Sequence, residues 1–350
     1  MKLICVEEHV LSPEIGAATQ ATMLGVAPCL ADWSSRVVDG LSITDPSRPH
    51  VVSRAISAQK CLDMGEARLA DMDANGIDMQ ILSYGGMPQF VPADRAVELN
   101  QAANDRLAQA VHNHPTRFAG FATLPWQDPE AAAKELERAV KTLGFKGALI
   151  NGQPDDTFLD DDRHAPVLAA LNDLGVPLYV HPGLTHPAAQ AAYYSGFERE
   201  LGARFSLFGW GWHHEAGIQV VRMMLAGTFD TYPNLQVISG HWGEMVPFFL
   251  QRLEDSIPQA ASQLSRPLTQ IYREHVYVTP SGMLTLPHFQ FVLDVMGADR
   301  ILFSVDYPYQ SLDGARTFIE NLPISQDDKE KIAHRNAEKL LGLPTMEIRP

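Results

Sequence analysis

The chain has 350 residues, of which 45% are hydrophobic and 20% are charged, a composition typical of a folded globular protein and not of a disordered one. Its 27 lysines and arginines stand against 42 aspartates and glutamates, which gives a formal net charge of −15. Because an acidic surface repels phosphate backbones and anionic lipid, we expect neither a nucleic-acid nor a membrane partner.

The cysteines and the N-terminus indicate a reduced compartment. Cys5, Cys29 and Cys61 are too few and too scattered for a disulfide framework or a CxxC metal site. Glu7 and Glu8 interrupt the first apolar run before a signal-peptide core can form. No apolar stretch approaches the roughly 20 residues that cross a bilayer. The sequence therefore predicts a cytoplasmic protein.

Eight short, nearly continuous apolar runs recur along the chain, and each ends in small or polar residues. Such runs are typical of parallel strands that are buried on both faces. The predicted strands are Leu3–Glu8, Ile77–Ser83, Phe118–Leu124, Gly147–Asn151, Val176–Val180, Leu235–Ser239, Val276–Thr279 and Ile301–Val305.

Stretches with helical spacing separate these runs. The clearest predicted helices are Ala93–His112, Pro129–Leu143, Ala165–Leu174, Ile218–Thr228 and Met245–Ser256. The alternation of strand and helix predicts an α/β fold with a parallel sheet. Eight strands over this length favour a closed (β/α)8 barrel over an open doubly wound sheet. No GxGxxG motif follows the first strand, which argues against a dinucleotide-binding fold.

Two connections are too long for ordinary barrel loops. They cover residues 10–60 after the first strand and residues 181–214 after the fifth. Both leave the carboxyl ends of strands, where barrel enzymes build their sites, so we predict a lid-like insertion at 10–60 and a pocket wall at 181–214. Residues 325–350 are predicted to form a closing helix and a tail. No boundary divides the chain, and residues 1–350 are predicted to form a single domain.

Three predicted strands end in side chains that can bind a metal. Glu7 and His9 share one face of the first strand, because side chains alternate along a strand, and Glu8 points to the other face. His181 follows the fifth strand and Asp306 follows the eighth. In a closed barrel these strand ends meet at one mouth.

Two imidazoles and two carboxylates suit a dication such as Mn²⁺ or Zn²⁺. Each residue also has an ordinary alternative: Glu7 and His9 on the surface by chance, His181 as a hydrogen-bonded turn residue, and Asp306 as the start of a turn. The metal site is favoured because the surroundings are apolar and unpaired acids are costly there. We predict one divalent ion per chain and no organic cofactor.

The end of the sixth strand adds a second candidate pair. His241 and Glu244 stand three residues apart at a loop-to-helix turn. In this arrangement the carboxylate can orient the imidazole. We predict an acid or base beside the metal.

The long loops hold weaker candidates for substrate contacts. Trp212 and His213 belong to an aromatic run that suits either a pocket wall or a packing cluster at an oligomer interface, and His213 can orient a substrate or cap the following helix. Arg54 and Arg204 can pair with a substrate carboxylate or form surface salt bridges.

Together these motifs resemble the amidohydrolase superfamily, specifically its ACMSD-like (amidohydrolase 2) group. That group includes metal-dependent, non-oxidative decarboxylases of hydroxybenzoates such as γ-resorcylate decarboxylase. The matching segments are Glu7-Glu8-His9, His181-Pro182, residues 229–235 and 240–244, residues 303–308 and the closing stretch 331–343.

The resemblance implies a distorted TIM barrel with a mononuclear metal site and a homodimer or homotetramer. A binuclear site is not implied, because the fourth strand, Gly147–Asn151, holds no lysine that could be carbamylated. The resemblance assigns these residues: Glu7, His9, His181 and Asp306 as ligands, and His241 and Glu244 as the acid/base pair.

The chain departs from the resorcylate-type pattern after the seventh strand. An Asn-Phe-Arg-like stretch is expected there, and Thr279-Pro280-Ser281 stands in its place. This leaves recognition of the substrate carboxylate, and so the identity of the substrate, open.

The leading hypothesis is decarboxylation of a hydroxylated aromatic acid resembling dihydroxybenzoate. Direct loss of CO₂ leaves an unstable aryl anion, so the ring has to be protonated first. A protonated Asp306 is predicted to donate that proton, while His241 accepts or holds the phenolic one.

The alternative is a metal-dependent hydrolase or hydratase that acts on a lactone, a C–C bond or an enol acid at the same site. A third possibility is a catalytically silent barrel that serves as a binding subunit. Between the two enzyme classes, Glu7 in place of the usual first histidine favours decarboxylation.

Overall fold

The computed structural model describes residues 1–28, 54–154 and 156–344. Within these ranges seven parallel strands form two sheets, in which spatial order follows chain order. The first sheet contains β1 (Ile4–Val10), β2 (Met79–Tyr84) and β3 (Phe118–Gly120). The second contains β4 (Ala148–Asn151), β5 (Leu178–His181), β6 (Val237–Ser239) and β7 (Val276–Val278).

Single bridges join the two sheets into a barrel. Ala122 pairs with Ala148, which places β3 beside β4. On the other side, Val278 pairs with Ile301 and Glu8 pairs with Tyr307. The chain after Ile301 therefore fills the eighth position, between β7 and β1, and the predicted closed (β/α)8 barrel is the observed fold.

The eighth position is not a regular strand, although the sequence predicts one at Ile301–Val305. Leu302 N donates to Val278 O across 2.9 Å, and Val6 N donates to Phe303 O across 3.0 Å. Each neighbour is thus reached by isolated contacts without a continuous ladder.

Helices surround the barrel on the outside. They are α1 (Pro13–Val26), α2 (Arg54–Cys61), α3 (Glu66–Ala74), α4 (Ala93–Asn113), α5 (Pro129–Lys141), α6 (Ala165–Leu174), α7 (Pro187–Ala189), α8 (Arg199–Ser206), α9 (Gly211–Leu225), α10 (Thr228–Thr231), α11 (Val246–Ser256), α12 (Gln259–Ser262), α13 (Leu268–His275), α14 (Leu286–Met296), α15 (Ala315–Glu320), α16 (Gln326–Glu330) and α17 (Asn336–Leu341). Shorter 3-10 turns cover Pro88–Phe90, Asp162–His164 and Ala298–Arg300, and π-helical turns cover Gln190–Tyr194 and Lys331–Arg335.

Sequence signals place several of these helices well. Asp128 caps α5, since its side chain accepts from Ala131 N at 3.0 Å and Pro129 takes the first position. The predicted helix at Ile218–Thr228 was wrong at its start, because the helix that forms there, α9, already begins at Gly211. Residues 209–212 are all glycine or tryptophan, so hydrophobic periodicity does not indicate that the helix begins there.

The predicted insertion and tail are only partly described. Helix α1 lies at the start of the insertion at 10–60 and helix α2 at its end. Residues 29–53 between them lie outside the described residues, as do residues 345–350 of the tail. The lid-like role and the single-domain organisation therefore stay predictions. None of the helices within the described ranges is long and apolar enough to span a membrane.

The closing helix seals the amino end of the barrel. Ala337 and Leu341 of α17 belong to the same buried cluster as inward-facing strand residues such as Ile4 and Ile81. Asn336 anchors this helix through its side-chain amide.

We expect Asn336→Ala to lower the free energy of unfolding by about 2 kcal/mol. The Asn336 amide donates to Ala298 O and Ile301 O, both at 2.8 Å, and its loss removes one side-chain hydrogen bond from each of these carbonyls. Urea unfolding of both proteins measures the difference. Gln290→Ala, which removes an exposed contact with Asp294, should change stability by less than about 0.5 kcal/mol; an equal loss in both variants would contradict the anchor.

Candidate metal centre and active site

A β-bulge in β1 decides which side chains face the barrel mouth. Between the pairs Cys5–Gln80 and Glu8–Leu82, β1 has one residue more than β2. An extra residue reverses the alternation of faces. Val6 points into the inner core, and after the bulge Glu7 and His9, not Glu8, point inward beside the other candidate ligands.

The structure brings the four predicted ligands together at this mouth. One ligand atom from each of Glu7, His9, His181 and Asp306 lies within 4.8 Å of the others. His9 Nε2 lies 3.1 Å from Asp306 Oδ1, and His181 Nε2 lies 3.6 Å from Glu7 Oε1. The carboxyl ends of β1, β5 and the eighth segment thus converge, as expected for a closed barrel.

Three of these ligand atoms are buried without a partner. Glu7 Oε1, His9 Nε2 and Asp306 Oδ1 have no hydrogen bond to any described residue, since the contact between His9 and Asp306 lacks hydrogen-bond geometry. A buried polar atom with no partner costs free energy. The donor set fits a dication, because a cation would satisfy all three atoms at once.

The fourth ligand is prepared for the same task. His181 Nδ1 donates to Pro182 O at 2.7 Å, which leaves the lone pair of Nε2 facing the other ligands. Burial lowers the pKa of His181 well below its ordinary value. The ring is therefore neutral, which is the form that binds a metal.

Hydroxyl groups hold the other oxygen of Glu7. Glu7 Oε2 accepts from Ser281 Oγ, from Ser304 Oγ at 3.2 Å and from Thr279 Oγ1 at 3.3 Å. These bonds orient the carboxylate so that Oε1 faces the ligand cluster. Burial raises the pKa of Glu7. Sequence reasoning missed these hydroxyls, although Thr279 and Ser281 occupy the stretch where the chain departs from the resorcylate-type pattern.

Gly240 leaves room for this arrangement. A Cβ at Gly240 would lie 2.8 Å from Ser281 Oγ and 3.2 Å from Glu7 Oε1. Both distances are shorter than ordinary contacts, so the close approach of the sixth strand end to Glu7 requires glycine.

The predicted acid/base pair forms, and it includes a third residue. Glu244 accepts from His241 Nδ1 at 2.7 Å through Oε1 and from His213 Nδ1 at 3.0 Å through Oε2. Glu244 is fully buried beneath the two rings, whose centroids lie 4.3 Å apart. The His241 ring centroid is 6.2 Å from that of His181, so the second cluster adjoins the first.

Charge pairing stabilises this cluster. Burial disfavours the imidazolium form of His241, but the Glu244 carboxylate outweighs it and raises the pKa of His241 to about 9. Burial likewise disfavours ionised Glu244, and the two imidazoles outweigh it and lower the Glu244 pKa. The pair is ionic at neutral pH when no metal is bound.

The turn that carries the pair is irregular. His241, Trp242, Gly243 and Glu244 all have positive φ angles, between 45° and 84°. The backbone is held there by the strand that follows, since Trp242 N donates to Thr279 O at 2.8 Å. Strain of this kind persists where the surroundings enforce it, often at functional sites.

His213 and Trp212 lie at the start of α9. In addition to its bond with Glu244, His213 Nε2 lies 2.9 Å from Phe208 O and 3.0 Å from Trp212 Nε1. Trp212 packs against a small apolar cluster that includes Leu184 and Leu207. The predicted pocket wall at 181–214 therefore contacts the acid/base pair through His213, a link the sequence did not reveal.

The structure does not test the predicted roles of Arg54 and Arg204. Arg54 begins α2, and its side chain lies outside the described part of the structure. The Arg204 guanidinium lies 5.8 Å from the centre of the Phe208 ring. Their proposed contact with a substrate carboxylate stays a prediction.

Comparison with known proteins decides the family. The family profile described as amidohydrolase (Amidohydro_2) matches residues 62–343. The chain belongs to this amidohydrolase family. It is 33% identical to decarboxylase orsB of Emericella nidulans, over 97% of this chain and 96% of that protein. It is 38% identical to a γ-resorcylate decarboxylase of Polaromonas sp., over 81% of this chain and 89% of that protein.

A solved amidohydrolase-fold structure points the same way. The 5-carboxyvanillate decarboxylase of Novosphingobium aromaticivorans, with manganese and 4-hydroxy-3-methoxy-5-nitrobenzoic acid, superposes with a TM-score of 0.84 and 31% identity, covering 98% of this chain and 96% of that one. These relationships confirm the predicted TIM-barrel fold and the predicted carboxy-lyase class, and they favour it over the hydrolase or hydratase.

We expect Ser281→Ala to weaken Mn²⁺ binding by about 10-fold or more. The change removes a hydroxyl that donates to Glu7 Oε2 and accepts from His241 N at 2.8 Å, and loss of such a supporting bond typically costs 10- to 100-fold in affinity. Calorimetric titration with Mn²⁺ measures the effect. Ser239→Ala is a matched control, because Ser239 Oγ is buried without a hydrogen bond among the described residues; equal affinities in the two variants would contradict the role of Ser281.

The raised pKa of His241 predicts a pH-dependent stability of the metal-free protein. The stabilisation from the His241–Glu244 pair is complete below pH 6.5, the ordinary histidine pKa, and is lost as pH rises to about 9. The loss should reach about 3 kcal/mol at most. Urea unfolding between pH 6 and 10 should show this decline in the parent protein and a flatter profile in His241→Asn. A variant of an exposed histidine, His288→Asn, should retain the parent profile; a decline of the same size in His241→Asn would remove His241 as its source.

Proposed function

We propose that this chain is a metal-dependent, non-oxidative decarboxylase of a hydroxylated aromatic carboxylic acid of the dihydroxybenzoate kind. One observation carries the proposal: Glu7, His9, His181 and Asp306 converge, with three of their ligand atoms buried and unpartnered among the described residues. The decarboxylases to which the chain is related act on acids of this class by their names.

The proposed ion is Mn²⁺, held by Glu7, His9, His181 and Asp306, one ion per chain. Carboxylate and imidazole ligands without thiolate suit this ion, and manganese is present in structures of 5-carboxyvanillate and dihydroxybenzoic acid decarboxylases. When bound, the ion supplies positive charge that stabilises the phenolic and carboxylate oxygens of the substrate. Zn²⁺ is the alternative, and no organic cofactor is required.

Two groups of this chain move protons in the proposed reaction. His241, oriented by Glu244, takes the phenolic proton in its neutral form, which the positive charge of a nearby ion would favour, and a protonated Asp306 donates a proton to the ring carbon that bears the carboxylate. The C–C bond then breaks, its electron pair returns to the ring and CO₂ leaves. His241 returns its proton to the phenolic oxygen, and Asp306 recovers one from water, so each turnover consumes one proton.

The exposure of the Asp306 side chain supports its proposed role. The Asp306 side chain keeps 14% exposure at the mouth, whereas Glu7 is fully buried, so Asp306 can reach a bound substrate. His213 shares Glu244 with His241 and is proposed to position the pair. Trp212 is proposed to line the pocket. A cytoplasmic location and a homodimer or homotetramer remain predictions.

Metal analysis and a substrate panel test the function. Purified protein is analysed for bound metal and incubated with dihydroxybenzoates and 5-carboxyvanillate, while released CO₂ and ring absorbance are followed. The proposal predicts one Mn²⁺ per chain and CO₂ release that stops on chelation and returns with Mn²⁺. Bound metal with hydrolysis of lactones or hydration of enol acids, and no CO₂, would favour the hydrolase or hydratase.

We expect Asp306→Asn to lower kcat by about 10²- to 10⁴-fold, the usual contribution of a proton donor. The amide cannot supply the proton to the ring carbon. CO₂ release at saturating substrate and Mn²⁺ measures the effect. Asp313→Asn makes the same chemical change at an exposed position seven residues later and should retain the parent rate. A kcat of Asp306→Asn within about threefold of the parent would remove Asp306 from proton transfer.

A further inference from the structure

A second buried carboxylate lies behind the ligand cluster. Glu8 follows Glu7 in β1, is fully buried, and faces away from the barrel mouth. Its oxygens accept from Val305 N at 3.1 Å, Tyr307 N at 3.3 Å and Gln80 Nε2 at 3.3 Å. The proposed mechanism gives this carboxylate no chemical role.

The bonds of Glu8 enclose Asp306. Val305 and Tyr307 are the residues on either side of Asp306, and Glu8 binds the N–H of each through a different oxygen. Asp306 has a φ of 66°, in the left-handed region, which is uncommon for residues other than glycine. Two N–H groups fixed by one carboxylate set the orientation of the peptide groups around this strained residue, and so the direction of its side chain.

A buried arginine completes the arrangement on the His9 side. Arg68 of α3 is 1% exposed. It donates from Nη2 to His9 O at 2.7 Å and from Nη1 to Gln80 Oε1 at 3.0 Å, and its guanidinium lies 4.8 Å from the centre of the Tyr307 ring. Gln80 therefore links the buried side chains of Glu8 and Arg68.

The two sides also meet through the backbone. His9 N donates to Tyr307 O at 2.6 Å, so the residue after Asp306 is bonded to a ligand residue as well as to Glu8. Glu8, Gln80 and Arg68 thus contact the main chain at His9 and on both sides of Asp306. Their side chains lie on the outer side of the barrel wall.

We propose that Glu8 and Arg68 are positioning residues for the metal centre. Through the backbone, they hold the His9 imidazole and the Asp306 carboxylate 3.1 Å apart, facing one ion. The inference rests on the proposed function, because it requires the four inward residues to bind that ion. A metal site tolerates errors of only about 0.5 Å in its ligands, so a small shift in the backbone at Asp306 reaches the chemistry.

Glu8→Gln tests the proposal with little change in volume. The amide has one acceptor oxygen where the carboxylate has two, so an NH₂ group faces a donor, Val305 N, Tyr307 N or Gln80 Nε2. We expect Mn²⁺ affinity to fall at least 10-fold. At saturating Mn²⁺, kcat should also stay at least 10-fold low with KM within about threefold of the parent, and the EPR spectrum of bound Mn²⁺ should change.

Glu135→Gln separates positioning from general stability. Glu135 is also a buried carboxylate, on α5, where it accepts from Asn104 Nδ2 at 2.7 Å and from Arg138. Its replacement should lower the thermal midpoint, yet leave Mn²⁺ affinity, kcat and the EPR spectrum unchanged. If Glu8→Gln shows the same pattern as Glu135→Gln, Glu8 is merely structural and the proposal is overturned.

Gln80→Met decides the case if Glu8→Gln does not fold. It removes the hydrogen bonds by which Gln80 fixes the side chains of Glu8 and Arg68. Because less firmly held side chains position the backbone less well, Mn²⁺ affinity and kcat should fall at least threefold. Unchanged values would overturn the proposal. The parent protein is measured in the same assays. If the parent neither binds Mn²⁺ nor releases CO₂, the proposed function itself is contradicted. If the parent is active and the variants are unaffected, only the positioning role is contradicted.

Discussion

Burying polar ligand atoms without partners is the constraint on which the rest of this site depends. Glu7 Oε1, His9 Nε2 and Asp306 Oδ1 are withdrawn from water and bonded to no described residue, a state that costs several kcal/mol unless a cation compensates. The surrounding bonds all maintain it. Hydroxyls occupy the second oxygen of Glu7, and Pro182 O occupies the second nitrogen of His181. The four candidate ligand atoms therefore face one another, an arrangement that fits a divalent ion.

The two faces of β1 divide the work of building the centre. The inward face supplies Glu7 and His9, and the outward face supplies Glu8, which bonds to the segment that carries Asp306. Arg68 joins that outer network at the carbonyl of His9. One strand therefore carries two candidate ligands on its inner face and, on its outer face, a carboxylate that bonds to the backbone on both sides of Asp306.

The second cluster places the His241 imidazole beside the four candidate ligands without making it one of them. Glu244 is shared by His241 and His213, so the strand that ends at Gly240 and the wall that begins at Gly211 meet on one carboxylate. Ser281 ties this cluster to the first, because its hydroxyl donates to Glu7 and accepts from His241 N. The stretch that departs from the resorcylate-type pattern therefore holds the carboxylate of Glu7.

Local sequence determined the eight apolar segments, four of the five clearest predicted helices and the candidate ligands at strand ends, because burial and alternation leave a short-range periodic signal. It also placed Glu7 and His9 on one face of β1 and Glu8 on the other. Only the tertiary structure decided which face points inward, since that depends on a bulge against β2 that no pattern within β1 reveals. The hydroxyls on Glu7, the link from His213 to Glu244 and the irregular eighth position were likewise decided there. Each joins residues far apart in the chain, and contacts of that kind leave no periodicity in the segments that make them.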